Sequence, residues 1–162
     1  MATYVLGIGD RHSDNIMLAE NGNLLHIDFG HFLGNFKSKL GVKRERVPFV
    51  LTNDFIYTIV KGDKAMEHHQ SFRNFKKLCE DAFLLLRKHG DLFINLFAMM
   101  LSTGIPELRT ADDVDYVRVA LCLGKPQKDA LASFQGKFQE AIRNNRSVAI
   151  NWWMHNIAKQ QN

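Results

Sequence analysis

The sequence predicts a mainly α-helical domain with a small β-hairpin region at one edge. Three observations carry this expectation. Apolar residues recur at a helical period through several long segments of the second half of the chain. Two short apolar runs near the start are separated by Asn21-Gly22, a strong hairpin signal because both residues tolerate positive φ. Asp and Asn residues flank that hairpin in an order that ordinary turn chemistry does not require.

Thr3 to Ile8 is apolar and β-branched and reads as a strand, broken into a loop by Gly7 and Gly9. Ile16 to Ala19 and Leu24 to Asp28 are the two hairpin strands, with Asn15 and Asp28 side by side at the open end. Phe32 to Val47 has no helical or strand period and reads as an exposed basic loop, and Pro48 begins a new ordered region. Thr52 or Asn53 caps a helix from Asp54 to Val60. Ser71 to His89 carries Phe72, Phe75, Leu78, Cys79, Ala82, Phe83, Leu85 and Leu86 at a period near 3.6 residues. Gly90 ends that helix. Leu92 to Leu101 is apolar all round, which suits a central buried helix. Thr110-Ala111-Asp112-Asp113 resembles a capping box before a helix to Leu121, which Gly124 stops. Lys128 to Asn144 sets Ala130, Leu131, Phe134, Phe138, Ala141 and Ile142 on one face, and Asn151 to Gln161 reads as a last helix.

The chain has 162 residues, enough for one domain with a core. It is 46% hydrophobic and 23% charged, an ordinary globular composition rather than a disordered one. A net charge of +4 makes anionic partners plausible without selecting one. Cys79 and Cys122 lack metal-ligand spacing and read as buried, reduced thiols of an intracellular protein. No apolar run is long enough to span a bilayer. Because a motif-bearing segment follows Met1 so closely, we expect the chain to be the C-terminal part of a longer protein.

The motifs lie at the hairpin. Gly9-Asp10-Arg11-His12-Ser13-Asp14-Asn15 is followed, thirteen residues after Asn15, by Asp28-Phe29-Gly30. A phosphoryl transferase using ATP needs a group that orients the attacking hydroxyl and oxygen ligands for Mg²⁺. An Asp, an Asn five residues later and a second Asp in an Asp-Phe-Gly turn have that order and spacing. The His-Arg-Asp triplet of protein kinases is replaced by Asp10-Arg11-His12. In this reading Asn15 and Asp28 hold the metal, and Asp10 positions or deprotonates the nucleophile. His12 and His31 flank the same site, and imidazole is a side chain suited to take a proton near neutral pH or to stabilise the γ-phosphate.

Met17 and Ile27, apolar residues close in sequence to the metal ligands and expected at facing positions of the hairpin, are candidates for one wall of a purine slot. Lys37, Lys39, Lys43, Arg44 and Arg46 lie between Asp-Phe-Gly and Pro48, where a kinase reads its acceptor. Five cations there point to an acceptor that already carries phosphates. Nucleic acid is a poor fit, because aromatic interleaving and a fold signature are both missing. Trp152 and Trp153, with Lys159 beyond, suit either a docked terminal helix or contact with a membrane interface.

Gly7 to Met17, His26-Ile27-Asp28-Phe29-Gly30-His31 and Lys43-Arg44-Glu45-Arg46-Val47-Pro48-Phe49 closely resemble the catalytic subunits of class I phosphoinositide 3-kinases. The similarity looks continuous from Ala2 into Asn151-Trp152-Trp153-Met154-His155. The resemblance implies the C-terminal lobe of a protein-kinase-like (PI3/PI4-kinase) fold over residues 1–162. Within it lie a catalytic loop at 9–17, a metal-binding turn at 28–30, an activation loop at 28–49 and a helical part at 50–162. It further implies phosphorylation of the inositol 3-hydroxyl of phosphatidylinositol 4,5-bisphosphate with ATP and Mg²⁺. The membrane surface and a regulatory adaptor subunit are the implied partners, in a cytoplasmic enzyme recruited to the plasma membrane. The family's N-terminal lobe has no counterpart among these residues, so the isolated chain is expected to show no measurable kinase activity. The rival readings are a phosphatidylinositol 4-kinase, a protein kinase of the same superfamily, and a non-catalytic lipid- or adaptor-binding fragment.

Overall fold

Phe83 and Phe134 stack at the centre of the protein, with ring centroids 4.8 Å apart and planes 9° from parallel. Tyr4 packs on Phe134 at 5.5 Å, and Phe138 meets Phe49, Phe72 and Phe75 at about 6 Å. The computed structural model describes residues 1–12, 14–34, 38–39, 42–43, 48–63 and 66–144, with the backbone alone at 38–39, 42–43 and 67. Among the described residues the order is α1 (Ala2–Val5), β1 (Ile16–Leu18), β2 (Leu24–His26), β3 (Ser38–Lys39), β4 (Val42–Lys43) and α2 (Asn53–Ile59). Then follow α3 (Gln70–Lys88), α4 (Gly90–Met100), α5 (Ala111–Ala120) and α6 (Gln127–Arg143). The fold is mainly helical with a small hairpin region, as the sequence predicts. Among these residues no helix is long and apolar enough to cross a membrane.

The hairpin forms where expected. β1 and β2 are antiparallel, pairing Ile16 with His26, Met17 with Leu25 and Leu18 with Leu24. Ala19 accepts from Gly22 N at 2.8 Å and donates to Asn23 O at 2.9 Å. This is a three-residue loop in which Gly22 alone adopts positive φ, at 83°. Asn21 contributes differently from expectation, its Oδ1 taking the Asn23 amide at 3.1 Å.

The helical body also follows its sequence signals. Thr52 caps α2 by accepting from Phe55 N at 3.3 Å, and His69 caps α3 through Nδ1 to Ser71 N at 3.2 Å. α5 opens with a capping box in which Asp113 Oδ2 accepts from Thr110 N at 2.9 Å and from Arg109 N at 3.0 Å. On α6, Ala130, Phe134, Phe138 and Ala141 are buried, with Leu131 and Ile142 partly so.

Several expectations are corrected. The segment read as the first strand is the short helix α1, because Tyr4 and Val5 are both buried and a lone strand would point them to opposite faces. The loop from Phe32 does not start exposed. Leu33 is buried and its amide donates to Leu6 O at 2.8 Å. Farther along, β3 and β4 pair antiparallel, too short for any alternation to be read.

Gly90 does not end a helix in a left-handed cap. It begins α4 directly after α3, and its missing side chain makes room for Leu123, whose Cδ2 would lie 2.7 Å from an added Cβ. α4 is not buried all round. Ile94 faces the core while Leu92, Leu96 and Met99 are exposed, since an all-apolar stretch does not specify which side its neighbours cover. α5 is stopped by Leu121 and by Cys122 at φ 51°, not by Gly124. Both cysteines are free thiols and half-buried rather than fully buried. The helix expected at Asn151 to Gln161 lies outside the described residues.

Candidate active site

The open end of the hairpin is where the candidate residues meet. Beyond the last β1–β2 pair, Ile27 N donates to Asn15 O at 3.1 Å, so Asp28 sits one residue past the direct partner of Asn15. Asn15 is buried at 5% exposure, deep for a polar loop residue. Both of its side-chain hydrogen bonds run through Nδ2, to Asp10 O at 2.8 Å and to His12 Nε2 at 3.2 Å. That leaves Oδ1 as the atom able to meet a cation.

Asp10 and Asp28 both adopt left-handed backbone, with φ of 56° and 58°. Asp tolerates that region better than most residues, at a cost the surroundings must offset. His12 Nε2 lies 3.9 Å from Asp10 Oδ2, and His12 Nδ1 lies 3.3 Å from Asp14 N. A neutral imidazole carries a single N–H, so His12 accepts from either Asp14 N or Asn15 Nδ2 but not from both. His31 is brought to the same loop through its main chain, its carbonyl accepting from Gly9 N at 2.8 Å.

The residue that sequence reasoning passed over is Arg11. It is buried at 6% exposure inside the motif. Its Nε donates to Gly9 O at 2.8 Å, and Nη1 donates to Ile27 O at 2.7 Å and Asn15 O at 3.2 Å. Nη2 donates to Asp28 O. One guanidinium thus fastens the two segments that carry Asp10, Asn15 and Asp28, a task that suits its rigid fork of donors. Its Cζ lies 5.9 Å from the Phe29 ring centroid. Burial lowers the Arg11 pKa, and the Asp28 and Asp10 carboxylates act in the opposite direction. The available signal was an arginine placed between two acids in a loop that turns inward.

Met17 and Ile27 are both exposed, at 54% and 41%. They are not directly opposite each other, against the expectation of facing positions. Met17 pairs with Leu25, and Ile27 lies two residues farther along the same face. The other face, with Ile16, Leu24 and His26, closes a cavity of about 350 Å³ against Phe49, Phe55 and Phe75. His26 Nδ1 is buried there without a hydrogen-bond partner. Its pKa is lowered by burial first, then by Arg11 and the N-terminal ammonium.

Lys37, Arg44, Arg46, Trp152 and Trp153 lie outside the described residues, while Lys39 and Lys43 are placed on β3 and β4 by backbone alone. No group of three or more His, Cys, Asp or Glu converges among the described residues. The candidate ligands, an Asp carboxylate and an Asn amide oxygen with phosphate and water completing the shell, are hard oxygen donors that fit Mg²⁺.

This fold is the C-terminal lobe of a kinase-like domain. Residues 1–110 match the family described as phosphatidylinositol 3- and 4-kinase, and the chain belongs to that family. Over 158 residues, 98% of this chain, it is 51% identical to phosphatidylinositol 3-kinase 2 of Dictyostelium discoideum. It is 46% identical over the same length to phosphatidylinositol 3-kinase 1 of that organism. The chain spans 8% and 10% of the lengths of these two relatives.

Proposed function

We propose that this chain is the catalytic-loop half of a lipid kinase that phosphorylates the inositol 3-hydroxyl of phosphatidylinositol 4,5-bisphosphate, as class I enzymes do. The observation that carries the reading is the fastening of the Asp10–Asn15 loop to the Asp28 turn by Arg11. It is supported by the identity to two phosphatidylinositol 3-kinases over nearly the whole chain.

In this reading Asn15 Oδ1 and the Asp28 carboxylate hold Mg²⁺, which when bound neutralises charge on the nucleotide phosphates. Asp10 orients the acceptor hydroxyl. As the new O–P bond forms and the bond to ADP breaks, the hydroxyl proton leaves to Asp10, His12 or His31. Met17 and Ile27 form one apolar wall for the adenine of ATP. Lys37, Lys39, Lys43, Arg44 and Arg46 hold the phosphates of the headgroup. Trp152 and Trp153 contact the membrane, and the full-length protein, cytoplasmic and recruited to the plasma membrane, binds a regulatory adaptor. As a domain assignment, residues 1–162 divide into the catalytic loop, metal-binding turn, activation loop and helical part given above.

Mn²⁺ titration of the isolated chain with ATP, read by electron paramagnetic resonance, tests the metal site. Asp28→Asn is expected to weaken binding by about tenfold or more, ~1.4 kcal/mol. Equal binding by the variant overturns the metal assignment. Liposome binding with no metal or nucleotide binding favours the non-catalytic fragment. In the full-length enzyme, exchanging residues 37–46 for those of a phosphatidylinositol 4-kinase is expected to change acceptor preference, and unchanged preference rejects the headgroup reading.

A further inference from the structure

Outside the site, the ring of Tyr116 on α5 packs against both segments that lead into it. A Cβ added at Gly7 would lie 2.6 Å from Tyr116 Cε1 and Cζ, and one added at Gly34 would lie 2.7 Å from Tyr116 Cδ2. The Gly7 Cβ would also lie 2.9 Å from Gly34 N, so the backbone before the catalytic loop and the backbone after Asp-Phe-Gly meet each other where both meet the ring. Both glycines have positive φ, 54° and 82°, so neither position accepts a side chain on conformational grounds either. The same two segments are cross-bonded beside the ring, Leu33 N to Leu6 O and Gly9 N to His31 O, each at 2.8 Å. Gly9 precedes Asp10 directly, and His31 follows Asp28 by three residues. The support that Tyr116 gives this junction is therefore passed to the carboxylates through very short stretches of chain.

The helix behind the ring is firmly held. Val114, Val117 and Ala120 anchor it in the core, and the Thr110–Asp113 capping box closes its start. The Tyr116 hydroxyl donates to Tyr4 O at 3.3 Å, tying the ring to α1 as well.

We propose that Tyr116 is a positioning residue whose ring buttresses the junction between the catalytic loop and the Asp28 turn. The metal part of this inference rests on the metal site proposed above. A smaller side chain leaves a gap into which the two glycine-bearing segments relax, so the oxygen ligands drift apart while the helical core stays folded. The ring carries this role, and the weak hydroxyl contact does not.

The test compares Tyr116→Leu, Tyr116→Phe and Val117→Ala, the last a buried neighbour on α5 that touches neither Gly7 nor Gly34 in the contacts above. Mn²⁺ affinity with ATP is read by electron paramagnetic resonance, amide exchange at Gly9 and Leu33 by NMR, and stability by urea denaturation. Tyr116→Leu is expected to lose about tenfold or more in Mn²⁺ affinity, the usual scale for outer-shell substitutions, and to exchange faster at both amides. Tyr116→Phe restores wild-type behaviour in both readouts. Val117→Ala loses stability yet keeps Mn²⁺ affinity in its folded baseline. Wild-type affinity and exchange in Tyr116→Leu, or equal loss in Val117→Ala, overturns the proposal. If wild type and Asp28→Asn bind Mn²⁺ alike, the metal reading fails by itself. The exchange comparison then decides the buttressing role, with unchanged Gly9 and Leu33 protection in Tyr116→Leu counting against it.

Discussion

Arg11 grips Asp28 by its main-chain carbonyl, while the Asp28 carboxylate accepts from the Gly30 amide at 3.3 Å. Burial lowers the Arg11 pKa, and the cation is near enough to that carboxylate for it to oppose the lowering in part. Yet four of its hydrogen bonds go to carbonyls, at Gly9, Asn15, Ile27 and Asp28. Apart from that one contact with Gly30, the arginine leaves the carboxylate oxygens uncommitted, and the turn that carries them is held by an interaction that does not consume them.

Lysine should therefore not replace Arg11. A single ammonium cannot span carbonyls on two segments, and those left unpaired lose their hydrogen bonds in a buried place. We expect Arg11→Lys to lower stability by about 2–4 kcal/mol, read as a shift of the urea midpoint at unchanged slope. A shift close to zero would mean that the bracket is not needed to hold the hairpin end.

His26 predicts a pH dependence of stability. Its folded-state pKa is held below the ordinary 6.5 by burial, Arg11 and the N-terminal ammonium. The unfolded chain takes up this proton near pH 6.5, and the folded protein only at lower pH. Between those points the unfolded state binds more protons, so the contribution of His26 is full above about pH 6.5 and falls as the pH drops through the folded value. The urea midpoint of wild type relative to His26→Phe should be flat above neutrality and decline below it. A difference that grows on acidification would contradict the sign.

Gly90 and Leu123 give a prediction with a change of sign. Alanine at Gly90 places a Cβ 2.7 Å and 2.9 Å from the two methyls of Leu123. The clash costs about 1–3 kcal/mol, against roughly 1 kcal/mol gained from helix propensity. Gly90→Ala should destabilise the wild type yet stabilise Leu123→Ala. A double-mutant cycle by thermal or urea denaturation measures the coupling.

Asp113 collects three donors at the start of α5, from Arg109 N, Thr110 N and Thr110 Oγ1 at 3.0, 2.9 and 3.1 Å. Asp113→Ala should cost about 1 kcal/mol by loss of the cap. Circular dichroism of the thermal transition checks this, and an unchanged midpoint would show that tertiary packing alone starts the helix.

Much of the fold was legible in the residues because its signals are local. Asn21-Gly22 announced the hairpin, Thr52 and Thr110 announced helix starts, and the period of α3 and α6 named their buried phenylalanines. Legibility failed where two elements had to meet. Thr3 to Ile8 has strand-like composition, but Tyr4 and Val5 are claimed by Phe134 and the core around it, which only a turn of helix can reach with both. Leu92 to Leu101 is so uniformly apolar that its exposed side could not be told from its buried one. Gly90 looked like a terminator and is instead a place where Leu123 comes close.

By itself, the sequence determined which residues stand as candidates for the chemistry, because side-chain type and spacing along a short hairpin depend on nothing distant. It determined the helical character of the body for the same reason. What only the tertiary structure decided was how those residues are held. The four-carbonyl grip of Arg11, the orphaned nitrogen of His26 and the ring of Tyr116 against Gly7 and Gly34 are all relations between segments far apart in the chain. Burial and close packing set such contacts, and no local pattern of residues encodes which distant backbone will arrive.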